Sequence, residues 1–355
     1  MNFSDHLHQV INRSRAFYAA TAPGHFLINV NVPTEKVPMP PLTQFDLETQ
    51  LNQWLELMLQ AARPEWAVKT DLNDDTVPQI CPRFGIAEHT AWLGTDVMLQ
   101  ETTCLPVPLL NSPADFSRLN LNPDTRWFKY MKAGYDYLRS RQDGSFVLSV
   151  RGTMMPMDIA NALRGDELLT DFILNPDFVH ELMRFLVQAI GWYYQQLLSW
   201  VDKIEDGYIF WLSGGWIGGK CLGHVSNDLA LLCSEQIYET FGLPYETKLS
   251  QQFESVFYHV HNERMHFLPH LIKLPNLALL EITNDPKTPA PIEELAKIFQ
   301  STGSASLMLH LTSEQLRKHI KQFKQRNVFF DVECSDRADA ADIIALVRAH
   351  SRPLG

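Results

Sequence analysis

Short apolar runs alternate with longer amphipathic segments along most of this chain. The short runs are rich in β-branched and aromatic residues, as strands are, and they cover 25–32, 66–70, 97–101, 146–150, 208–212, 256–259, 277–282, 305–309 and 328–332. Most are continuously apolar rather than alternating, which is typical of strands buried on both faces. Between them, apolar residues recur every three or four positions over 47–62, 178–201, 234–245, 292–300 and 313–326, a spacing that predicts helices.

This alternation predicts an α/β fold, specifically one (β/α)₈ TIM barrel that spans residues 1–355, with an N-terminal helical addition over residues 1–24. A doubly wound open sheet with an insertion at 106–142 is the alternative. The proline-rich segment 33–41 is expected to be a loop over the barrel mouth. Barrel enzymes carry their chemistry at the carboxyl ends of the strands. The polar residues expected at those ends are Asp71, Glu101, Arg151, Ser213, His259, His261, Glu281, Thr283, His310, Glu333 and Cys334.

His259 and His261 are separated by one residue at the end of the strand-like run 256–258. Residues i and i+2 of a strand point to the same face, so both imidazoles are expected to project together. Zinc binds imidazole nitrogens at about 2.0–2.1 Å, and such a pair suits it. The alternative is a helix cap and an ordinary polar residue. Metal-dependent amidohydrolases also carry a His-x-His pair, but on their first strand, whereas this pair lies near the sixth.

A glycine-rich stretch at 213–221 almost matches a phosphate-binding loop. Cys221 stands where a serine or threonine hydroxyl should hold magnesium. The residues that follow do not open a helix, so no helix N-terminus is expected to receive phosphates. A flexible loop is therefore favoured over a nucleotide site.

The composition narrows the possible partners and locations. A net charge of −11, with no compensating basic block, argues against a nucleic-acid surface. The five cysteines are odd in number and form no Cys-x-x-Cys pair, which fits reduced thiols. The N-terminus lacks the pattern of a signal peptide, and no run approaches the ~18 apolar residues of a membrane span. The sequence therefore predicts a soluble cytoplasmic protein that acts on a small molecule.

Four stretches resemble the uroporphyrinogen decarboxylase superfamily, which includes corrinoid-dependent methyltransferases. The likeness covers roughly residues 140–350. The stretches are RGTMMP at 151–156 with LRGDE at 163–167 and NPDFVH at 175–180; Asp228 with SEQIYE at 234–239 and LPY at 243–245; HVHN at 259–262; and Cys334 leading into 339–347. The resemblance implies a TIM barrel and either decarboxylase or methyltransferase chemistry.

The decarboxylase branch grips porphyrin carboxylates with an arginine-rich N-terminal segment. The matching residues 24–30 contain no arginine, so uroporphyrinogen is not expected to be a substrate. The methyltransferase branch holds zinc with a His-x-Cys pair and a distant cysteine. His259 and Cys334 match that pattern, and His261 replaces the middle cysteine with another competent zinc ligand.

The resemblance therefore implies a methyltransferase that moves a methyl group between a corrinoid protein and a small acceptor. In this hypothesis His259, His261 and Cys334 bind zinc, and His259, His261 and Glu281 are catalytic. Arg151 pairs with a substrate carboxylate, and Asp228 or Glu281 orients the acceptor, with Asp71 as a further substrate-binding residue. The alternatives are a metal-free lyase acting on a small carboxylic acid and a non-catalytic ligand-binding barrel.

Overall fold

The computed structural model describes residues 2–101 and 103–352. Its strands are β1 (Phe26–Asn31), β2 (Gln79–Ile80), β3 (Val97–Leu99), β4 (Cys104–Pro106), β5 (Val147–Leu148), β6 (Thr153–Met154), β7 (Gly207–Ile209), β8 (Trp216–Gly218), β9 (Cys221–Ser226), β10 (Ser255–His261), β11 (Leu277–Thr283), β12 (Leu307–Thr312) and β13 (Val328–Glu333). Its α-helices are α1 (Phe3–Ala19), α2 (Leu47–Leu72), α3 (Glu88–Ala91), α4 (Arg126–Ser140), α5 (Pro156–Arg164), α6 (Glu167–Leu174), α7 (Pro176–Trp200), α8 (Glu235–Ile237), α9 (Leu243–Ser250), α10 (Leu268–Leu271), α11 (Leu295–Thr302), α12 (Ser313–His319) and α13 (Arg337–His350).

A seven-stranded sheet in the order β1-β13-β12-β11-β10-β9-β6 forms the centre of the molecule. All of its neighbouring strands are parallel. Parallel neighbours require crossover connections, which the intervening helices provide. β2 and β5 form a separate parallel pair, whereas β3–β4 and β7–β8 are antiparallel. The predicted α/β class is thus confirmed. The arrangement is compatible with a TIM-like barrel, although strand pairing among the described residues does not close the sheet.

One face of this sheet, called the inner face here, carries apolar side chains at positions 257 and 329 and polar side chains two residues further along the same strands. The Phe257 ring of β10 lies 6.2 Å from that of Phe210, centroid to centroid. On β13, Phe329 packs against Gly215, where an added Cβ would come within 2.8 Å of the ring. The segment 210–215 therefore covers strands from both halves of the sheet. Two residues further along each strand, at positions 259 and 331, the same face carries polar side chains.

One predicted strand is wrong. Residues 66–70 belong to the long helix α2, not to a strand. Trp66, Val68 and Lys69 are buried there, together with Met58 and Leu59 about two to three turns earlier. A short apolar run within a helix face cannot be told from a buried strand by its composition alone. Asp71 therefore lies in the last turn of a helix rather than at a strand end.

Further differences concern the sheet. The runs at 97–101, 146–150 and 208–212 contribute β3, β5 and β7, which pair with β4, β2 and β8 in two-stranded sheets outside the central one. The glycine-rich stretch 213–221 was expected to be a flexible loop, but it contains β8, and β9 begins at its last residue and pairs with β10. Gly223 and His224 interrupt the apolar run of β9, so the sequence pattern does not indicate a strand there.

The expected N-terminal helical addition is present as α1, which packs against β1 and β8. Val10, Ile11 and Phe17 form its buried face. In the described part of the chain, no helix is long and apolar enough to cross a membrane.

Candidate functional site

A buried carboxylate surrounded by three imidazoles lies on the inner face of the sheet. Glu281 of β11 is 0% exposed and stands in register with His259 of β10. Its Oε2 is 2.8 Å from His259 Nδ1 and 2.9 Å from His224 Nε2, and its Oε1 is 2.7 Å from His310 Nε2. The four neighbouring strands β9, β10, β11 and β12 thus bring residues that are far apart in sequence to one point.

The network continues from His310 to β13 and β1. Nδ1 of His310 lies 2.8 Å from Asp331 Oδ2, so this imidazole bridges two carboxylates. Asp331 Oδ1 accepts hydrogen bonds from the side-chain amides of Asn29 at 2.7 Å and Asn31 at 2.6 Å. The ammonium of Lys69 donates to Asn29 Oδ1. The inward positions of six strands, β9 to β13 and β1, therefore share one hydrogen-bonded network.

The protonation states follow from these contacts. Burial acts to raise the pKa of the Glu281 carboxyl, but hydrogen bonds from three imidazoles outweigh it and hold that pKa well below its ordinary value. Burial lowers the pKa of His224, so that this imidazole is neutral. Burial acts to lower the pKa of His310 as well, but Asp331 and Glu281 raise it to about 10. At neutral pH the cluster therefore holds an ionised Glu281, a protonated His310 and a neutral His224.

A close backbone approach positions His224 next to Arg151. Gly152 has a φ of +84°, and a Cβ there would lie 2.4 Å from the His224 carbonyl oxygen. A side chain at this position would therefore be strained twice, by its backbone conformation and by the clash.

We expect Gly152→Ala to lower the free energy of unfolding by roughly 2–5 kcal/mol, since left-handed strain adds to an overpacking cost. Gly144 is the matched control, because its φ is +85° but a Cβ there would meet nothing within 4 Å. Gly144→Ala should cost only about 1–2 kcal/mol of strain. Urea unfolding of both variants measures the difference, and equal costs would refute the close approach.

His261 stands at the open edge of the cluster. Its ring centroid is 5.0 Å from that of His259, so the predicted projection of both imidazoles to one side is confirmed. Nδ1 of His261 lies 2.5 Å from Asp285 Oδ1, and Nε2 lies 3.6 Å from Asp228 Oδ1. Burial acts to lower the pKa of His261, but Asp285 and Asp228 outweigh it and raise that pKa.

Arg151 is already paired within the protein. Its Nε donates to Glu88 Oε1, and its guanidinium carbon lies 4.2 Å from the centre of the Trp211 ring. The arginine is 7% exposed and Glu88 is 1% exposed. Burial acts to lower the pKa of Arg151, but Glu88 outweighs it and keeps the guanidinium charged. The arginine expected to meet a substrate carboxylate therefore meets an internal one.

Two other predicted site residues lie away from the cluster. The side chain of Asp71 is 63% exposed and is 3.3 Å from Arg337 of α13. Cys334 follows β13, which β11 and β12 separate from β10. Burial, with Asp339 of α13 nearby, raises the pKa of the Cys334 thiol to about 12, so that it stays protonated.

The predicted zinc ligands are therefore not brought together. His259 and His261 are neighbours, but Cys334 lies three strand spacings away, at about 4.8 Å each. The zinc prediction placed Cys334 on the last strand, which was expected to neighbour the first and to face the same mouth as the histidine pair. β13 does pair with β1 and also with β12, but β11 and β12 lie between it and β10.

A different set of donors does converge. One ligand atom each from His224, His259 and Glu281 lies within 4.8 Å of the other two. Ligands of a tetrahedral zinc ion at about 2.0–2.1 Å are roughly 3.3 Å apart, so the 2.8–2.9 Å contacts need only a small adjustment. Imidazole and carboxylate donors are chemically suited to zinc. This second set therefore fits the metal that the motifs imply.

A cavity of about 310 Å³ opens beside this network. Asn29, Asn31 and Asp331 line one wall, so the cavity is one hydrogen bond away from His310. Met39 of the proline-rich segment 33–41 also lines it. The volume suits a small-molecule ligand.

Several members of the site were missed in the sequence. Glu88, Asp285 and Asp331 had no local motif, and His224 was noted only as one of the residues after the glycine-rich stretch that do not open a helix. One signal existed for His224: His224 and Ser226 occupy alternate positions, as residues on one face of a strand do. Comparison with protein-family models and with curated proteins gives no match for this chain.

Proposed function

We propose that this protein is a methyltransferase of the uroporphyrinogen decarboxylase type, which moves a methyl group between a corrinoid protein and a small acceptor. The proposed zinc ligands are His224, His259 and Glu281. The observation that carries the proposal is the convergence of two imidazole nitrogens and one carboxylate oxygen, which His310 connects to the cavity-lining Asp331. Three protein ligands leave a fourth position for substrate, as a catalytic zinc site requires.

The finer parts of the proposal rest on the motifs and on packing. The four stretches that resemble the superfamily support methyl transfer and a separate corrinoid protein as partner. Packing of the segment 210–215 against both Phe257 and Phe329 supports a closed (β/α)₈ barrel. All five cysteines are free thiols, which suits the reducing cytoplasm that we propose as the location.

In the proposed reaction an acceptor thiol loses its proton, and its sulfur attacks the methyl carbon. The cobalt–carbon bond breaks, and its electron pair stays on the corrinoid cobalt. Bound zinc supplies a lower pKa for the acceptor thiol. His261 is placed to hold a proton at the edge of the cluster, because Asp285 and Asp228 stabilise its charged form.

The test is a methyl-transfer assay with methylcobalamin as donor and 2-mercaptoethanol as acceptor, followed by visible spectroscopy without oxygen. We expect the zinc-loaded protein to convert methylcobalamin to the cobalt(I) form. His224→Gln should lose this activity, while His8→Gln should keep it, because the side chain of His8 is 67% exposed on α1. An unchanged spectrum with fully zinc-loaded protein would contradict methyl transfer.

A metal-free lyase acting on a small carboxylic acid is the second candidate. It is favoured by the protonated His310, which lies between Glu281 and the cavity-lining Asp331 and could supply a proton to a carbanion. Loss of carbon dioxide from a small acid by metal-free protein, together with no methyl transfer, would favour this candidate. If neither activity is detected, the remaining candidate is a non-catalytic ligand-binding barrel.

A further inference from the structure

Two adjoining cavities share one set of lining residues. The cavity of about 310 Å³ and a second of about 320 Å³ are both lined by Met39, Met58, Arg83 and Trp211. The shared residues place two thioethers, one indole ring and one guanidinium beside the same cavities. This combination suits a ligand with an apolar part and an anionic group.

The other cations at these cavities are already paired. Lys69 lies 2.9 Å from Asp74 Oδ2, and Arg151 is bound to Glu88. The acidic Asp331 is likewise compensated, by His310. A ligand anion would therefore have to displace an internal partner to bind either of these cations, which leaves a buried carboxylate unpaired.

Arg83 differs from both. Among residues 2–101 and 103–352, no carboxylate lies within 4.0 Å of its guanidinium. The guanidinium carbon lies 5.4 Å from the centre of the Trp211 ring, and the backbone carbonyl of Arg83 accepts a 2.9 Å hydrogen bond from the Trp54 indole. The backbone of Arg83 is thus anchored, while its side-chain charge is available at the cavity.

We infer that Arg83 binds the carboxylate of a small ligand whose apolar part lies against Met39, Met58 and Trp211. Guanidinium and carboxylate match in a bidentate geometry that an amide cannot reproduce. Glu65 and Glu101 also line these cavities, one each, but both are exposed and remain hydrated. The inference rests on the proposed function only in taking the cavities as the substrate site.

The experiment compares hexanoate with its neutral analogue hexanamide by ligand-observed NMR titration, without zinc, corrinoid or thiol. We expect wild type to bind hexanoate at least about tenfold more tightly than hexanamide, a typical value for one charge-assisted contact. Arg83→Gln should remove this preference and leave hexanamide binding unchanged. Arg63→Gln is the matched control, because Arg63 is an exposed arginine of the same region that faces Asp143.

Equal binding of the two probes to wild type would overturn the inference, and so would an Arg83→Gln protein that keeps the preference. Failure of wild type to bind hexanoate at millimolar concentration would overturn it as well. No turnover is measured, so these outcomes are independent of whether the protein transfers methyl groups.

Discussion

Glu281→Gln is expected to lower the zinc affinity of the protein more than about 100-fold, because even residues that only orient a metal ligand contribute 10–100-fold. Glutamine keeps the size of the side chain but removes one of the two carboxylate charges, with that of Asp331, that raise the pKa of His310. Both other proposed ligands, His224 and His259, also contact the Glu281 carboxylate. Metal content after purification with zinc, measured by plasma mass spectrometry, and a competition titration with a chelator give the affinity.

The same measurement separates two ligand sets. The set suggested by the motifs predicts zinc loss in Cys334→Ser and in His261→Ala. The set suggested by the geometry predicts loss in His224→Gln and retention in Cys334→Ser, because the Cys334 thiol is protonated and lies two strands beyond β11. Retention of zinc in Glu281→Gln, with loss in Cys334→Ser, would reject the geometric set.

The strands with a continuous apolar sequence were predictable from that sequence. The candidate site that their side chains form was predictable only in part. The runs that became β1, β10, β11, β12 and β13 were found because burial on both faces leaves a composition visible in a short window. The pair His259 and His261 followed from strand periodicity alone. The role of Glu281 as the centre of the cluster depends instead on which strands are neighbours.

Partners that meet across the chain were not predictable from local sequence. Glu88 lies on the one-turn helix α3, and it is 63 positions away from Arg151. Nothing in the sequence around either residue indicates that their charges cancel. Arg151 was therefore interpreted as free for a substrate, and the exposed Arg83 received no role. Tertiary pairing of this kind decides which charges remain for ligands.

Glu88→Ala is expected to lower the free energy of unfolding by about 3–5 kcal/mol, the usual cost of leaving one member of a buried ion pair unpaired. Glu88 also accepts hydrogen bonds from the backbone N–H groups of Phe84 and Gly85, which would lose their acceptor. Urea unfolding gives the measurement. Asp136→Ala is the control, because its partner Lys132 and Asp136 itself are 51% and 60% exposed, and exposed pairs contribute at most about 1 kcal/mol.

The same variant tests which arginine serves the ligand. Once Glu88 is removed, the buried Arg151 guanidinium has lost its internal carboxylate, and a bound carboxylate can replace it. Hexanoate should then stabilise Glu88→Ala against urea more than it stabilises wild type, by mass action on the folded state. Suppose that Glu88→Ala lowers the free energy of unfolding no more than Asp136→Ala does, and that hexanoate stabilises Glu88→Ala and wild type equally. Arg151 is then not held by Glu88 in solution. In that case Arg151 would again be a candidate for the substrate carboxylate.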